Sequence, residues 1–395
     1  MGPSDNLENT WTYGNPETDD VPNERIERIR RGILVEMEYQ FSGKAAPEMA
    51  SPLYQALSRQ IAESPKHLQA LAHARQGNVR LLLSAVHHIV LARDDHRLSE
   101  YFPTVGGARP PDGDLVDSFE DFISTYATEI EKCLRVRGVQ TNEVRRCGPL
   151  WAAFSAAANI AGQPLALIEL GCSSGLNLLF DRYAYRYSDG RAAGDPVSPL
   201  TIDCRVDGDM SPPLAKEIPV ASRIGVDHDP VDLSDAEAIS WQRACIWGDH
   251  VGRLRDFDAA VEITRRDPPH VLRGDMIDVL PEAFVEASPD AAVCVYHTAA
   301  ANYLRRQRRE ELAEKLLELS TRRPILWVTG EGPGIVPGAP APEGAMRRAA
   351  VPMVLTELRD GSAERHLLGL AGAHGGWIEW LDAELTGRSR ERFDA

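Results

Sequence analysis

The 395-residue sequence lacks most features that mark secreted, metal-binding or membrane proteins. Its six cysteines are scattered without a C-x-x-C pair, which argues against a structural zinc site and a disulfide framework. No uninterrupted apolar run comes near the roughly 20 residues that a membrane helix needs. The N-terminal segment also lacks a basic stretch followed by an apolar one. These absences predict a cytoplasmic protein with reduced thiols and with no signal peptide, membrane span or bound metal.

Basic residues are fewer than acidic ones. The chain has 43 Lys and Arg against 59 Asp and Glu, a formal net charge of −16 at pH 7. Such a field repels polyanions, so we expect neither nucleic acid nor a membrane surface as a partner. Because 43% of the residues are hydrophobic and 26% charged, the composition is that of an ordinary globular protein. We expect a small-molecule substrate, and the sequence leaves the oligomeric state open.

The hydrophobic pattern changes once, near residue 150. Residues 1–22 are polar and acidic, which predicts a disordered tail. Residues 23–150 have apolar side chains at three- and four-residue steps, so we expect an all-helical region that acts as a lid or binds substrate. Residues 151–395 alternate short apolar runs with amphipathic segments, which is typical of a parallel sheet covered by helices. The predicted fold class is therefore α/β, with a doubly wound, Rossmann-like sheet behind a helical region.

Five short apolar runs of the second region predict parallel strands. They are LALIEL (165–170), SRIGVD (222–227), HVLRGD (270–275), AAVCVY (291–296) and PILWVTG (324–330). Farther on, two strand-like runs around Asp360-Gly361 predict an antiparallel hairpin. Residues 182–221 interrupt the alternation with three tyrosines at strand spacing and several turns, which predicts a β-insertion. That insertion either walls a substrate pocket or packs as a surface hairpin.

The stretch Gly171-Cys172-Ser173-Ser174-Gly175 has two competing interpretations. As G-x-S-x-G it matches the turn that exposes a serine nucleophile in α/β-hydrolases. With Glu169 in front, it is a loop that lets a small cofactor approach the backbone at the head of a helix. The hydrolase elbow lies well inside its sheet, whereas LALIEL is the first predicted strand here. A dinucleotide site would need glycines at Ser173 and Leu176. The order of elements therefore favours a pocket for S-adenosylmethionine.

The later strand ends supply candidate contacts for that cofactor, since ligands of open α/β sheets bind at the carboxyl ends of the strands. Asp227 follows the second strand and can accept hydrogen bonds from ribose hydroxyls, although it can also be a solvated turn acid. Asp275 follows the third and suits the adenine amino group, or equally the N-cap of the next helix. His297 ends the fourth strand and is the candidate general base.

Several blocks of sequence together resemble the bacterial family known as domain of unknown function 2332. The blocks are QTNEVRRC (140–147), LIELGCSSGLNLLFDRYAYRY (167–187), LRGDMIDVLP (272–281), YHTAAANYL (296–304) and GEGPG (330–334). The resemblance implies a class I methyltransferase-like fold behind a helical N-terminal region. It does not imply a substrate.

The cofactor site predicted from these residues includes Glu169, Gly171, Ser173 and Gly175. Glu169 either faces the methionine part of the cofactor or simply accepts backbone amides of the loop. The acid Asp227 lies farther from this loop than the roughly 20 residues common in nucleotide-binding βαβ units, which agrees with an intervening insertion.

The block QTNEVRRC has more hydrogen-bonding side chains than the N-terminus of a helix needs for capping. Thr141 or Asn142 suits the N-cap of a helix that begins near Glu143. Alternatively, Asn142 and Glu143 lie over the methionine end of the cofactor, where a carboxylate suits an ammonium group. The segment would then close the pocket and couple cofactor binding to ordering of the helical lid.

The function predicted from the sequence is S-adenosylmethionine-dependent methyl transfer to oxygen or nitrogen of a small molecule. Methyl transfer mainly requires alignment and exclusion of water, with a base near an acidic acceptor. Two other functions remain open at this point. The chain either binds the cofactor without transferring methyl or is a serine hydrolase that uses Ser173.

Overall fold

The computed structural model forms two compact units. Its described residues are 22–44, 47–340, 342 and 350–382. The first unit takes in Met1–Thr141 and Ala236–Leu254, and the second takes in Asn142–Asp235 and Arg255–Ala395. The division thus falls before Asn142 rather than after residue 150, and a segment from the middle of the predicted sheet region belongs to the helical unit. Residues 1–21 of the predicted tail lie outside the described residues.

The first unit is built from helices, as the three- and four-residue spacing predicts. Numbered along the chain, they are α1 (Asn23–Glu36), α2 (Pro52–Glu63), α3 (Pro65–His73), α4 (Val79–Ala92), α5 (Leu115–Thr125), α6 (Ala127–Val136) and α8 (Ala236–Ala244). Ser51 and Ser64 cap α2 and α3 by accepting backbone amides, and each cap precedes a proline at the first helical position. Asn78 caps α4 in the same way. Local sequence therefore determines where these helices begin.

The segment Ala236–Leu254 belongs to the helical unit because it supplies aromatic side chains to that unit's core. Trp247 packs against Phe41 and Tyr54, with ring centroids 4.7 and 6.0 Å away. Trp241 is buried in the same cluster and donates from Nε1 to the Gly138 carbonyl over 2.8 Å. Within the described part of the chain, no helix combines the length and apolar character needed to cross a membrane.

The second unit is a sheet with helices. The helices are α7 (Cys147–Ala161), α9 (Val251–Arg266, whose first turn belongs to the first unit), α10 (Leu280–Glu286) and α11 (Arg306–Leu319). The strands are β1 (Leu165–Leu170), β2 (Ala184–Tyr187), β3 (Ala192–Gly194), β4 (Thr201–Asp207), β5 (Val220–Asp227), β6 (His270–Arg273), β7 (Ala292–Thr298), β8 (Ile325–Gly330), β9 (Ala350–Arg359), β10 (Ser362–Gly372) and β11 (Trp377–Trp380). All five predicted parallel strands are confirmed within about three residues.

The sheet is mixed but mostly parallel. Its eleven strands lie in the order β3-β2-β4-β11-β10-β9-β8-β7-β1-β5-β6. The five strands β6-β5-β1-β7-β8 are mutually parallel, and β9 and β10 continue the sheet as an antiparallel hairpin. Asp360 and Gly361 at its tip have φ angles of 51° and 74°, as a type I′ turn requires. The predicted hairpin is therefore confirmed.

The segment 182–221 forms strands β2 to β4, which join the far end of the sheet through β11. The hydroxyls of Tyr183, Tyr185 and Tyr187 donate to the backbone carbonyls of Leu176, Phe180 and Gly148, respectively. All three rings are buried. These contacts favour the interpretation of the insertion as a packing element, because the tyrosines use their polar atoms inside the protein.

Candidate functional site

Three neighbouring strand ends define the candidate site. β1 pairs with β5 on one side and β7 on the other, both in parallel, although both follow it in the chain. The strand order therefore reverses at β1, and we call this position the switch point of the sheet. In open α/β sheets the ligand crevice opens at the carboxyl ends of the strands beside such a reversal.

The glycine loop, Gly171–Gly175, leaves β1 with an unusual backbone. The φ angles of Gly171, Ser173 and Gly175 are 75°, 55° and 73°. Residues other than glycine rarely adopt this left-handed region. A Cβ atom on Gly171 would lie 2.6 Å from the Cβ of Ala300, so this position has no room for a side chain. The next helix, Leu176–Arg182, is a 3-10 helix of 7 residues rather than an α-helix. The loop thus depends more on side-chain anchors than on a helix terminus.

Asp227 is one of those anchors. Its Oδ2 accepts the backbone amide of Ser173 over 2.7 Å, and its Oδ1 accepts that of Asp229 over 2.9 Å. The side chain is half-buried. The structure therefore places this predicted acid directly against the glycine loop, and at the same time shows the turn contact that the alternative interpretation expects.

Asn142 is a second anchor of the glycine loop. Its Nδ2 donates to the carbonyl of Cys172 and to Ser174 Oγ, both over 3.1 Å. Because Asn142 is 8% exposed, these contacts are sheltered from water. The prediction that this segment enters the sheet unit beside the loop is therefore confirmed, whereas its contact with a cofactor stays a prediction.

Glu143 lies next to that anchor but turns toward other partners. Its Oε1 accepts the amide of Arg145 and caps a short 3-10 turn, while Oε2 lies 3.5 Å from Nδ1 of His374. Helix α7 begins only at Cys147. The α-helix thus begins about four residues later than predicted, and the 3-10 turn ahead of it is capped by Glu143 rather than by Thr141 or Asn142.

The two arginines of this segment connect it to other parts of the second unit. Arg145 pairs with Asp256 over 2.7 Å. Arg146 donates to the carbonyl of Ala373 over 3.0 Å and, at the longer distance of 3.4 Å, to that of Thr298 at the end of β7. The segment therefore ties the glycine loop to the end of a neighbouring strand.

Glu169 is a buried acid with an unused oxygen beneath the loop. It is 3% exposed, and Oε1 accepts from Asn177 Nδ2 over 3.4 Å. Among the described residues, neither its Oε2 nor the hydroxyl of Tyr296, its register partner on β7, makes a hydrogen bond of standard geometry, although the two groups lie close enough to interact. Burial raises the pKa of this carboxyl to about 8, and the neighbouring polar groups of Tyr296 and Asn177 offset only part of the effect. The interpretation that Glu169 accepts loop amides is not supported.

Asp275 has partners within the protein. Its Oδ1 accepts the amide of Ile277 over 2.9 Å and a bond from Arg308 of α11 over 2.6 Å. Helix α10 begins only at Leu280, so Asp275 closes a turn ahead of the helix rather than capping it. The contact to adenine stays a prediction that would require this acid to share its oxygens with a ligand.

His297 is buried in the sheet with both ring nitrogens engaged. Trp327 Nε1 donates to its Nε2 over 3.1 Å, so the ring proton is on Nδ1, which donates to Glu331 Oε1 over 2.7 Å. The side chain is 1% exposed. This geometry argues against the predicted role of general base, because no lone pair is left to accept a proton. It also leaves His297 no nitrogen with which to activate Ser173 as a nucleophile.

Glu331 and Arg309 are two polar residues near this site that the sequence analysis did not single out. Both hold the β7 loop, Ala299–Asn302. Glu331 stands in the quoted block GEGPG, yet its partners lie about 30 residues earlier in the chain. No local pattern connects a glutamate after one strand with the loop after another. Only the pairing of β7 with β8 brings them together.

A separate cavity lies in the first unit. It measures about 490 Å³ and is lined from helices α4, α6 and α8. Its polar side chains include Arg137 and Glu237, which pair with each other over 2.7 Å, and the pocket is open to solvent. Its volume is within the range of small-molecule sites. The incompletely satisfied buried acid Glu169 and the left-handed backbone of the neighbouring loops favour the switch point of the sheet instead.

The family relationship is clear from the sequence comparison. The family described as an uncharacterized protein conserved in bacteria (DUF2332) matches residues 37–380, and the chain belongs to it. None of the curated proteins matches the chain.

Proposed function

We propose that the crevice at the carboxyl ends of β1, β5 and β7 binds S-adenosylmethionine and that the protein transfers a methyl group to a small-molecule acceptor. The observation that carries the proposal is the buried Glu169 beneath a glycine loop at the switch point, whose Oε2 makes no hydrogen bond of standard geometry among the described residues. A buried carboxyl with an incompletely satisfied oxygen is costly unless a ligand completes its hydrogen bonds. An ammonium group placed beside Glu169 would favour the ionised carboxyl, whose pKa burial raises in the free protein.

The order of the parallel strands supports the same proposal. β6-β5-β1-β7-β8 has the 3-2-1-4-5 arrangement of doubly wound nucleotide-binding sheets when its parallel strands are counted along the chain. The hairpin β9–β10 and the insertion strands extend this core to eleven strands. A Rossmann-like methyltransferase core with added strands is the fold that we infer.

The residues present fit an adenosine-containing ligand in part. Asp227 would accept from ribose hydroxyls by exchanging its bond to the Ser173 amide, and Glu169 would face the amino-acid portion. The glycine loop would let the ligand approach the backbone. The cofactor, when bound, would supply an already activated methyl group, so the chain's own task is alignment and exclusion of water. We assign no proton transfer to His297.

Calorimetric titration with S-adenosylhomocysteine and S-adenosylmethionine tests the proposal. Asp227→Asn should lower the affinity by about ten- to a hundredfold, because a ligand hydrogen bond to a carboxylate contributes about 1.5–3 kcal/mol. Asp203→Asn is the matched control, since Asp203 pairs with Arg186 at the surface of β4. Absence of binding to the parent protein, or equal affinity in parent and Asp227→Asn, would contradict the proposed site.

A further inference from the structure

We propose that Glu331 is a positioning residue, which fixes the β7 loop in the conformation that the candidate site needs. The proposal rests on the proposed function for its effect on ligand binding. Its effect on the loop itself rests only on the geometry of the second unit.

The carboxylate of Glu331 holds the β7 loop by accepting several hydrogen bonds. Oε1 accepts from His297 Nδ1 over 2.7 Å and from the amides of Ala300 and Ala301 over 2.9 and 3.0 Å. Oε2 accepts from Asn302 Nδ2 over 3.0 Å. Glu331 is 2% exposed, so one buried carboxylate serves four donors. Hydrogen bonds to an ionised acceptor are stronger than neutral ones, which makes this acid an effective clamp.

Arg309 of α11 also holds the β7 loop, as a cation that donates hydrogen bonds to backbone carbonyls. Its Nε donates to the carbonyl of Ala301 over 3.0 Å, and its Nη2 lies 3.5 Å from that of Asn302. The loop is therefore held by an anion at its amides and by a cation at its carbonyls. These contacts add to the loop's own backbone hydrogen bonds, which run from the Ala299 amide to the Gly330 carbonyl and from the Leu304 amide to the Ala301 carbonyl.

The clamp holds a conformation that the loop would not adopt by itself. Ala299 has a φ of 56°, a left-handed value that is strained for a residue with a Cβ atom. With the backbone in this conformation, Ala300 packs closely against Gly171. A Cβ atom added to Gly171 would lie 2.6 Å from the Cβ of Ala300. Glu331 thus determines how near the β7 loop comes to the glycine loop, and a ligand lying on one loop would contact the other.

The test compares two variants and a control. Glu331→Gln keeps the size of the side chain and one acceptor oxygen but removes the charge. The double variant Glu331→Gln with Ala299→Gly also removes the cost of the left-handed backbone, because glycine adopts that region freely. Glu357→Gln is the control, since Glu357 also pairs with a histidine, His366 at 3.2 Å, on β9 and β10.

Two measurements apply to each protein, namely hydrogen exchange at the Ala300 and Ala301 amides without ligand and affinity for S-adenosylhomocysteine. Glu331→Gln should speed exchange at these amides and weaken binding by about tenfold, which corresponds to one charge-assisted hydrogen bond. Adding Ala299→Gly should raise the affinity again by about twofold or more, because glycine adopts the left-handed backbone without the strain of an alanine. The control should match the parent.

The outcomes separate this proposal from the proposed function. Unchanged exchange at Ala300 and Ala301 in Glu331→Gln would overturn the positioning role, as would exchange that rises equally over the whole sheet. Equal ligand affinity in parent and variant would overturn it too. If the parent binds neither S-adenosylhomocysteine nor S-adenosylmethionine, the proposed function fails, while exchange in the free protein still decides whether Glu331 fixes the loop.

Discussion

The glycine loop and the β7 loop lie side by side at the switch point of the sheet but are held in opposite ways. The glycine loop depends on Asp227, which is half-buried, and on the amide of Asn142. The β7 loop depends on Glu331, which is fully buried and uses both carboxylate oxygens. A half-exposed acid can exchange a backbone amide for a ligand hydroxyl at little cost, whereas a buried one cannot. We therefore expect the glycine loop to adjust its conformation to a ligand and the β7 loop to keep one conformation.

Removing the buried anchor should have the largest effect. Glu331→Ala leaves four donors without their acceptor, so we expect the free energy of unfolding to fall by about 4 kcal/mol. Asp227→Ala frees two amides near solvent and should cost only about 1 kcal/mol. Denaturant unfolding followed by tryptophan fluorescence measures both. Equal losses would remove the distinction between the two loops.

The acid beneath the glycine loop should make stability depend on pH. Burial raises the pKa of Glu169 from 4.5 to about 8, so between these values the folded state holds a proton that the unfolded state has lost. The free energy of unfolding should therefore fall as pH rises from 5 to 7.5, by up to about 1.4 kcal/mol per pH unit, and level off above pH 8.

Glu169→Gln provides the control for this pH dependence, because an amide cannot titrate. Unfolding midpoints of parent and variant should converge near pH 4.5 and separate as the pH rises, with the variant more stable at pH 7.5. Parallel curves for the two proteins would show that the carboxyl is not held protonated.

The contact between the loops can be tested at Gly171. Gly171→Ala introduces a Cβ that would lie 2.6 Å from Ala300 at a backbone φ of 75°, and we expect a loss of about 2 kcal/mol in stability. Gly190→Ala is matched in backbone, with a φ of 88°, but its Cβ would meet nothing within 4 Å. It should lose only about 1 kcal/mol from backbone strain. A similar loss in both variants would indicate that the loops tolerate separation.

The smallest effect is expected at Ser173. Its φ of 55° suits glycine better than serine, so Ser173→Gly should gain up to about 1 kcal/mol in stability. Its affinity for S-adenosylhomocysteine should stay within about threefold of the parent. Ser174→Gly should instead loosen the loop, because Ser174 Oγ accepts from Asn142. Stoichiometric labelling of Ser173 by a fluorophosphonate would restore the hydrolase interpretation and contradict the methyltransferase proposal.

The strands and the hairpin could be predicted because each is encoded in neighbouring residues. An apolar run such as LALIEL indicates a strand buried on both faces, and Asp360-Gly361 can adopt the positive φ angles of a tight turn. The positions of Glu169 and Asp227 at strand ends followed from the same pattern. The role of His297 did not, since a histidine at a strand end looks the same in sequence whether it is open to a ligand or bonded inside the sheet.

By itself, the sequence determined the type and approximate limits of the elements, because periodicity and turn chemistry act over a few residues. Only the tertiary structure decided which elements share a core and which polar atoms meet. Trp247 packs with helices about 200 residues earlier, and Glu331 holds a loop about 30 residues before it. Such partners are selected by burial and by the need to satisfy buried hydrogen-bonding groups, which depend on the whole folded chain. For that reason the glycine loop could be found from its glycines, whereas the buried carboxylate that fixes its neighbour could not.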